Sequence, residues 1–394
     1  MKFLHFSDTH IGKRNFKLEE REGDFERAFE QCVSLALEEQ VDFVIHAGDM
    51  FDIGRPSHKS IVFVITQLKR LKKQNIPVFT VAGSHDMSKD DTVLSILEKV
   101  GLIVNLSSQR FFSVENDKLV LDGVVVGDAF VCGVPGRQAQ IKDIFKALTI
   151  KEHRAAYRVF VFHHTISSIS PVFEDIPTAL LPRGFDYYAG GHWHLPFDEP
   201  YDTGMIVYPG SPEFVELKEM RHGGLKGVVL VDTKKKTFKR IPLATRDVRV
   251  ERVDCTNMLA DDVNEKCFSL LSKNHGTLLV IEVHGTLRGG TKSEINKFNI
   301  NEEAQKQGYL YCNVRTADVL SPNQSVRVLS AGKSLKLIEA EYLTKKGYLP
   351  RQIALGQKII QSLGDSTKNA TQIRDAQKEL VEEIDRDTSN YRIN

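Results

Sequence analysis

Three short, mostly apolar runs near the N-terminus each end in a similar polar cluster, and this repetition constrains the fold more than any other feature. Residues 2–7 lead into Ser7-Asp8-Thr9-His10, residues 42–47 into Gly48-Asp49-Met50-Phe51-Asp52, and residues 77–82 into Gly83-Ser84-His85-Asp86. Such runs suit strands buried on both faces. Between the first two, Phe25, Ala28, Phe29, Cys32, Val33, Leu35 and Ala36 recur at spacings of three and four, which predicts an amphipathic helix over 24–39. A second helix is predicted over 58–73. Strands alternating with helices imply βαβ units and a largely parallel core. In open α/β sheets ligands bind beyond the carboxyl ends of the strands. Asp8, His10, Asp49 and His85 are therefore expected to converge.

Two later segments repeat the arrangement. The run 159–162 ends in His163-His164, and Tyr187-Tyr188-Ala189-Gly190-Gly191 ends in His192-Trp193-His194. Residues one apart on an extended stretch face the same way, so His192 and His194 are expected to share one site. Each element alone has a bland reading: a strand-end Asp is often only a helix N-cap, and paired histidines also pack. Their joint occurrence, in order and each after an apolar strand, points to metal. Mixed Asp and His donors suit manganese, zinc or iron better than magnesium or calcium. About seven ligands exceed one tetrahedral ion and suit two ions about 3.5–4 Å apart, bridged by a carboxylate. His5 and His46 lie inside strands and read as satisfied core residues, and His164 reads as packing or support.

Further strands are predicted at 111–115, 124–134, 158–163, 204–208, 226–232 and 237–242, enough for a two-layer β-sandwich flanked by helices over residues 1–245. Strands at 247–254, 277–283 and 309–315, with helices near 257–272 and 291–307, predict a small α/β cap domain over 246–330. Residues 331–394 read as a helical tail, with apolar stripes at 353–363 and 373–384 suited to docking on a partner helix. The 53 Lys and Arg balance 52 Asp and Glu, so any attraction for nucleic acid must be local. Lys13, Arg14 and Lys17 follow the first cluster, Arg55 and Lys59 follow the second, and Arg137 lies further on; these are the candidate phosphate contacts. Five scattered cysteines fit a reducing compartment and argue against a thiolate zinc site. The absence of a roughly 20-residue apolar span leads us to expect a soluble, cytoplasmic protein.

The set Asp-x-His, Gly-Asp, Gly-x-His-Asp, lone His and Gly-His-x-His resembles the calcineurin-like metallophosphoesterase superfamily. Within it, His5 to Arg14, Arg21 to Phe25, Gly48 to Asp52 and Tyr208-Pro209-Gly210-Ser211 are similar to the SbcD-type nuclease subunit of double-strand-break repair, archaeal forms especially. The resemblance is strong over about 1–245 and covers the rest in layout only. It implies an α/β metallophosphoesterase core holding two Mn2+ per subunit through Asp8, His10, Asp49, Ser84, His163, His192 and His194. His85 would protonate the leaving oxygen or position the phosphate, with Asp52 as a second candidate catalytic residue. Ser84 replaces the family's Asn, a shorter and weaker neutral ligand, and Asp52 stands where many relatives have a histidine. Implied partners are single- and double-stranded DNA ends, bound without sequence preference, and an ABC-type coiled-coil ATPase in a heterotetramer. A homodimer through 58–73 and 88–100 would form its centre. The expected activity is manganese-dependent DNA exonuclease and endonuclease. The rivals are a metallophosphatase on a non-DNA substrate and a DNA-end-binding scaffold with a weakened site.

Overall fold

The computed structural model describes residues 1–321 and Thr344, except 88–91, 116–117, 137–139, 173, 223 and 225. The predicted helical tail, including both stripes, and Arg137 lie outside the described residues.

Two six-stranded sheets form the larger part. The first runs, edge to edge, Thr237–Pro242, Gly227–Asp232, Lys2–Phe6, Phe43–His46, Val78–Thr80 and Val104–Asn105. The last four are mutually parallel; three of them are the predicted strands, and Val104–Asn105, only two residues long, is not among those predicted. The second runs Phe197–Tyr201, Gly204–Tyr208, Tyr187–Gly191, Tyr157–His163, Ala129–Gly133 and Val124–Val126, with a parallel centre and antiparallel edges. Strand alternation divides the apolar residues between two cores. Phe3, Phe43, Ile45 and Phe79 face inward and join Val159, Val161, Tyr187 and Val207 in the sandwich core. Leu4, Phe6, Val44 and Val78 face outward and are covered by Phe25, Phe29, Val33, Val64, Leu68 and Leu71 of two helices. The expected sandwich flanked by helices is the observed architecture.

Those helices are Glu19–Glu38 and His58–Lys73. The first begins five residues before its predicted start at 24. Its early turn carries Glu19, Glu20 and Glu22, whose charge favours the positive end of the helix dipole. The predicted strand 124–134 is a hairpin, Val124–Val126 and Ala129–Gly133, that turns at Gly127 with φ 57°.

A third sheet, wholly parallel, comprises Val248–Asp254, Leu278–Thr286 and Tyr311–Leu320. Helices Ala260–Ser269 and Lys297–Lys306 close a separate core around Val263, Cys267, Leu279, Ile281 and Ile300. Its opposite face, with Leu278 and Val280, packs on Phe214 and Met220 of the segment that follows the second sheet. All five cysteines are free and buried. No helix among the described residues is long and apolar enough to cross a membrane.

Candidate metal centre

The site forms where strands of both sheets stop abruptly. Asp8, His10, Asp49 and His192 all adopt left-handed backbone, with φ of 56°, 42°, 55° and 81°. Such conformations cost of order 1–3 kcal/mol each for non-glycine residues and persist where surrounding contacts over-determine them. Here the first two loops are laced together: the amides of Asp8, His10 and Ile11 donate to the carbonyls of Gly48, Asp49 and Met50 at 2.9, 3.1 and 2.9 Å. The amide of His192, from the second sheet, donates to both Asp8 oxygens at 3.1 Å. Close approach also demands glycine. A Cβ on Gly48 would lie 2.4 Å from His163 Nδ1, and one on Gly191 would lie 2.0 Å from the carbonyl oxygen of Ala47.

Seven residues named from the sequence arrive in one place. Asp8, His10 and His194 form one group able to surround a cation, and Asp49, His163 and His192 form another. Asp49 connects the two, with Oδ2 3.1 Å from His163 Nε2 of its own group and 3.9 Å from His10 Nε2 of the other. Asp8 Oδ1 is 3.9 Å from His163 Nε2 and 3.8 Å from His194 Nε2. The seventh, Ser84, donates its hydroxyl to Asp49 Oδ2 at 3.3 Å.

The donors fit divalent cations. His163 Nδ1 donates to the carbonyl of Ala47 at 2.7 Å, which directs the buried Nε2 at the carboxylates, 3.1 Å from Asp49 Oδ2. With His194 Nδ1 held by Glu219 at 2.9 Å and His10 Nδ1 3.2 Å from Asp52, the Nε2 atoms of His10 and His194 turn lone pairs toward each other at 3.4 Å, an arrangement that a cation between them relieves. The titration behaviour agrees. Burial penalises both charged forms, but Asp49 and His163 each outweigh that penalty for the other. Asp49 is held well below the usual carboxylate range, and the His163 imidazolium is raised to about 10. The protein supplies a proton where the carboxylates call for positive charge. His192, disfavoured by burial and then by the charge on His163, falls to about 4.

Support comes from residues behind the ligands. Asp52 lies 3.2 Å from His10 Nδ1 and accepts from Lys13 Nζ at 2.8 Å. Burial raises the Asp52 carboxyl, but His10 and Lys13 bring it down to about 2. Asp52 is therefore a fixed anion that orients His10. His85 donates its backbone amide to Asp49 Oδ1 at 2.8 Å, and its Nδ1 lies 2.6 Å from the Asp52 carbonyl, which leaves Nε2 available at the partly open mouth.

Sequence reasoning passed over two support groups. Asp86 accepts from the amides of Met50, Phe51 and Gly83 at 3.2, 3.0 and 3.0 Å, joining the second and third loops. Burial, then Asp49, pushes its carboxyl up to about 6. Glu219 receives His194 Nδ1 at 2.9 Å, Ser211 Oγ at 2.9 Å and buried Lys226. Burial disfavours its charge, but Lys226 and His194 lower it to about 2. Asp86 adjoins His85 in the third cluster, a local signal. Glu219 sits in the short helix Leu217–His222, which no periodicity announces. His5 and His46 are only half satisfied: Nδ1 of His5 meets Tyr187 Oη at 2.9 Å and Nε2 of His46 meets Thr9 Oγ1 at 3.0 Å, while each other nitrogen is unpartnered.

Several candidate DNA contacts have their charge committed: Lys13 is held by Asp52. Besides Lys13, Arg14 pairs with Glu22 at 2.5 Å, and Lys59 with Glu22 and Glu26 at 2.9 and 3.3 Å. Arg55 and Lys17 are exposed.

Residues 1–196 match the family model for calcineurin-like phosphoesterase. The chain is 32% identical over 274 residues to a Saccharolobus solfataricus protein named DNA double-strand break repair protein Mre11, covering 66% of this chain and 68% of that one. A Thermoplasma acidophilum protein of the same name is 32% identical over 315 residues, covering 75% and 80%. One from Sulfolobus acidocaldarius is 28% identical over 361 residues, covering 88% and 91%.

The chain belongs to the Mre11 family of calcineurin-like phosphoesterases.

Membership and the donor set together make it a metal-dependent phosphodiesterase that uses divalent cations.

Proposed function

We propose that this chain is a manganese-dependent nuclease that hydrolyses backbone phosphodiesters at DNA ends in double-strand-break repair. The observation that carries the proposal is the position of Asp49, 3.1 Å from His163 of its own ligand group and 3.9 Å from His10 of the other. Asp8, His10 and His194 would hold one ion, and His163 and His192 the other, with Asp49 shared and Ser84 beside it. The imidazole-rich set favours manganese over magnesium. When bound, a pair of such ions supplies charge to the phosphoryl oxygens and acidifies a water. His85, its Nδ1 held by the Asp52 carbonyl, donates a proton from Nε2 to the departing sugar oxygen. Asp52 is a positioning residue for His10. Relatives bearing the name of a break-repair protein support the DNA substrate.

The remaining assignments belong to the same reading. Residues 246–330 form a cap that contacts DNA together with Lys13, Arg14, Lys17, Arg55 and Lys59. Residues 331–394 dock on an ABC-type coiled-coil ATPase. Val62, Ile96 and Val100, exposed by 61%, 48% and 53% on helices His58–Lys73 and Val93–Lys99 and just after, support a homodimer within that heterotetramer. The deciding experiment is cleavage of linear duplex and single-stranded DNA with manganese by wild type, His85→Ala and Asp49→Ala. Both variants are expected to lose cleavage. Undiminished cleavage by the double variant would sink the proposal. A second reading, a phosphodiesterase for small non-DNA substrates, draws on the ion-paired state of Lys13, Arg14 and Lys59. A bis-aryl phosphodiester turned over well by an enzyme inert toward DNA would favour it.

A further inference from the structure

The cavity that opens on the ligands has a part of its wall that metal ions do not explain. It measures about 490 Å3, within the range of small-ligand sites, and its wall passes from Asp49, His85 and His194 to Trp193 and Lys218. Trp193 is the sole tryptophan of the chain, is half-buried, and falls between two candidate ligands in sequence. Lys218 Nζ lies 5.2 Å from its ring centroid. That lysine is exposed and belongs to no ion pair among the described residues, so only a weak cation–π contact holds it over the indole.

Charge decides what this part of the cavity accepts. Glu174, Asp175 and Glu216 also line it. These carboxylates, of which, among the described residues, Glu174 alone is paired with a lysine (Lys142, 3.1 Å), disfavour a second phosphate, yet they accept hydrogen bonds from the N–H groups of bases. An indole beside them offers a stacking face to any base, because every base has a π-surface. We infer that Trp193 and Lys218 form a subsite for an unpaired nucleobase next to the scissile phosphate. The inference rests on the nuclease reading and extends it. A base stacked on Trp193 has left its partner, so the subsite selects single-stranded or frayed ends over closed duplex.

Because Trp193 is the only tryptophan, its emission reports the subsite directly. The full chain, freed of metal so that no strand is cut, is titrated with a short oligothymidylate, with the same strand lacking bases, and with inorganic phosphate. Saturable quenching by the oligothymidylate alone is expected. With affinity read for all variants by the anisotropy of a fluorescently labelled oligothymidylate, Trp193→Ala should weaken binding roughly 5- to 150-fold, the range for losing one base–aromatic stack, and Trp193→Phe should restore most of it. Equal quenching by the abasic strand, or unchanged affinity in Trp193→Ala, overturns the subsite while leaving DNA cleavage by the wild type intact. Failure of the wild type to bind or cut any DNA overturns the nuclease reading itself, and the subsite with it.

Discussion

Replacing Glu219 by glutamine is the sharpest test of how the centre is held. One oxygen of the carboxylate receives His194 Nδ1 at 2.9 Å, and the other receives Ser211 Oγ at 2.9 Å, the Val215 amide at 3.2 Å and Lys226. A glutamine keeps the shape but turns one acceptor into a donor. If its NH2 faces His194, the imidazole must move its proton to Nε2, the nitrogen aimed at Asp8. If it faces Lys226, two donors collide. Either way the ligand is misoriented, and losses of this kind lower metal affinity about 10- to 100-fold, or about 1.4–2.8 kcal/mol. A separate cost follows because Lys226, 3% exposed, keeps its charge without a counter-ion. Breaking a buried pair on one side costs on the order of 3–5 kcal/mol of stability. Manganese titration calorimetry reads the first effect and urea unfolding of the ion-free protein the second. The double variant Glu219→Gln/Lys226→Met removes the stranded charge, so it should recover stability but not affinity. Wild-type manganese affinity in Glu219→Gln would refute the argument that Glu219 sets the His194 tautomer.

Four further outcomes follow from the same geometry. Because His163 is protonated up to about pH 10 in the ion-free protein, metal entry must expel that proton, and apparent manganese affinity should rise up to tenfold per pH unit from 7 to 9; equal dissociation constants at pH 7 and 8 would contradict this. The same raised pKa lies above the unfolded value of 6.5, so its stabilisation of the ion-free fold is complete below about 6.5 and is lost as pH rises through about 10. Gly48→Ala places a methyl 2.4 Å from His163 Nδ1 at a φ of 93°, and should abolish binding of the ion that His163 would hold, seen as a fall in manganese stoichiometry with circular dichroism retained. Val62→Glu charges the exposed face of His58–Lys73 and should yield monomers in light scattering; an unaltered dimer would place the self-association elsewhere.

Legibility in the sequence followed the range of the forces involved. Buried parallel strands need uninterrupted apolar runs, so Lys2–Phe6, Phe43–His46 and Val78–Thr80 stand out, and the groups at their carboxyl ends follow from topology. The helix Glu19–Glu38 was legible in its stripe but not in its first turn, where exposed acids carry no periodicity. The edge strand Phe197–Tyr201 escaped notice because its outward residues Asp198 and Pro200 break the apolar run. Glu219 was illegible because its role depends on a contact spanning 25 residues, between a loop end and a helix of six residues. Ser84 was legible as a departure, yet its hydroxyl bond to Asp49 required coordinates.

The distribution of lysines around the site explains why its two central carboxylates behave differently from their neighbours. Asp52, which holds His10, comes with Lys13, and Glu219, which holds His194, comes with Lys226. Each supporting anion is thus compensated by a fixed cation and stays ionised whether or not metal is present. Asp8 and Asp49 have only histidines within ion-pair distance among the described residues. Behind them Asp86 adds another carboxyl with no cation, and Asp49 helps to push it up to about 6. Uncompensated negative charge is therefore concentrated at the point where both ligand groups meet. A lysine there would neutralise it permanently and compete with any incoming ion, whereas histidine gives up its proton when a stronger cation arrives. The lysines that touch the supporting carboxylates, Lys13 and Lys226, are thus committed to fixing them, and the positive charge that Asp8 and Asp49 call for is left for metal to bring.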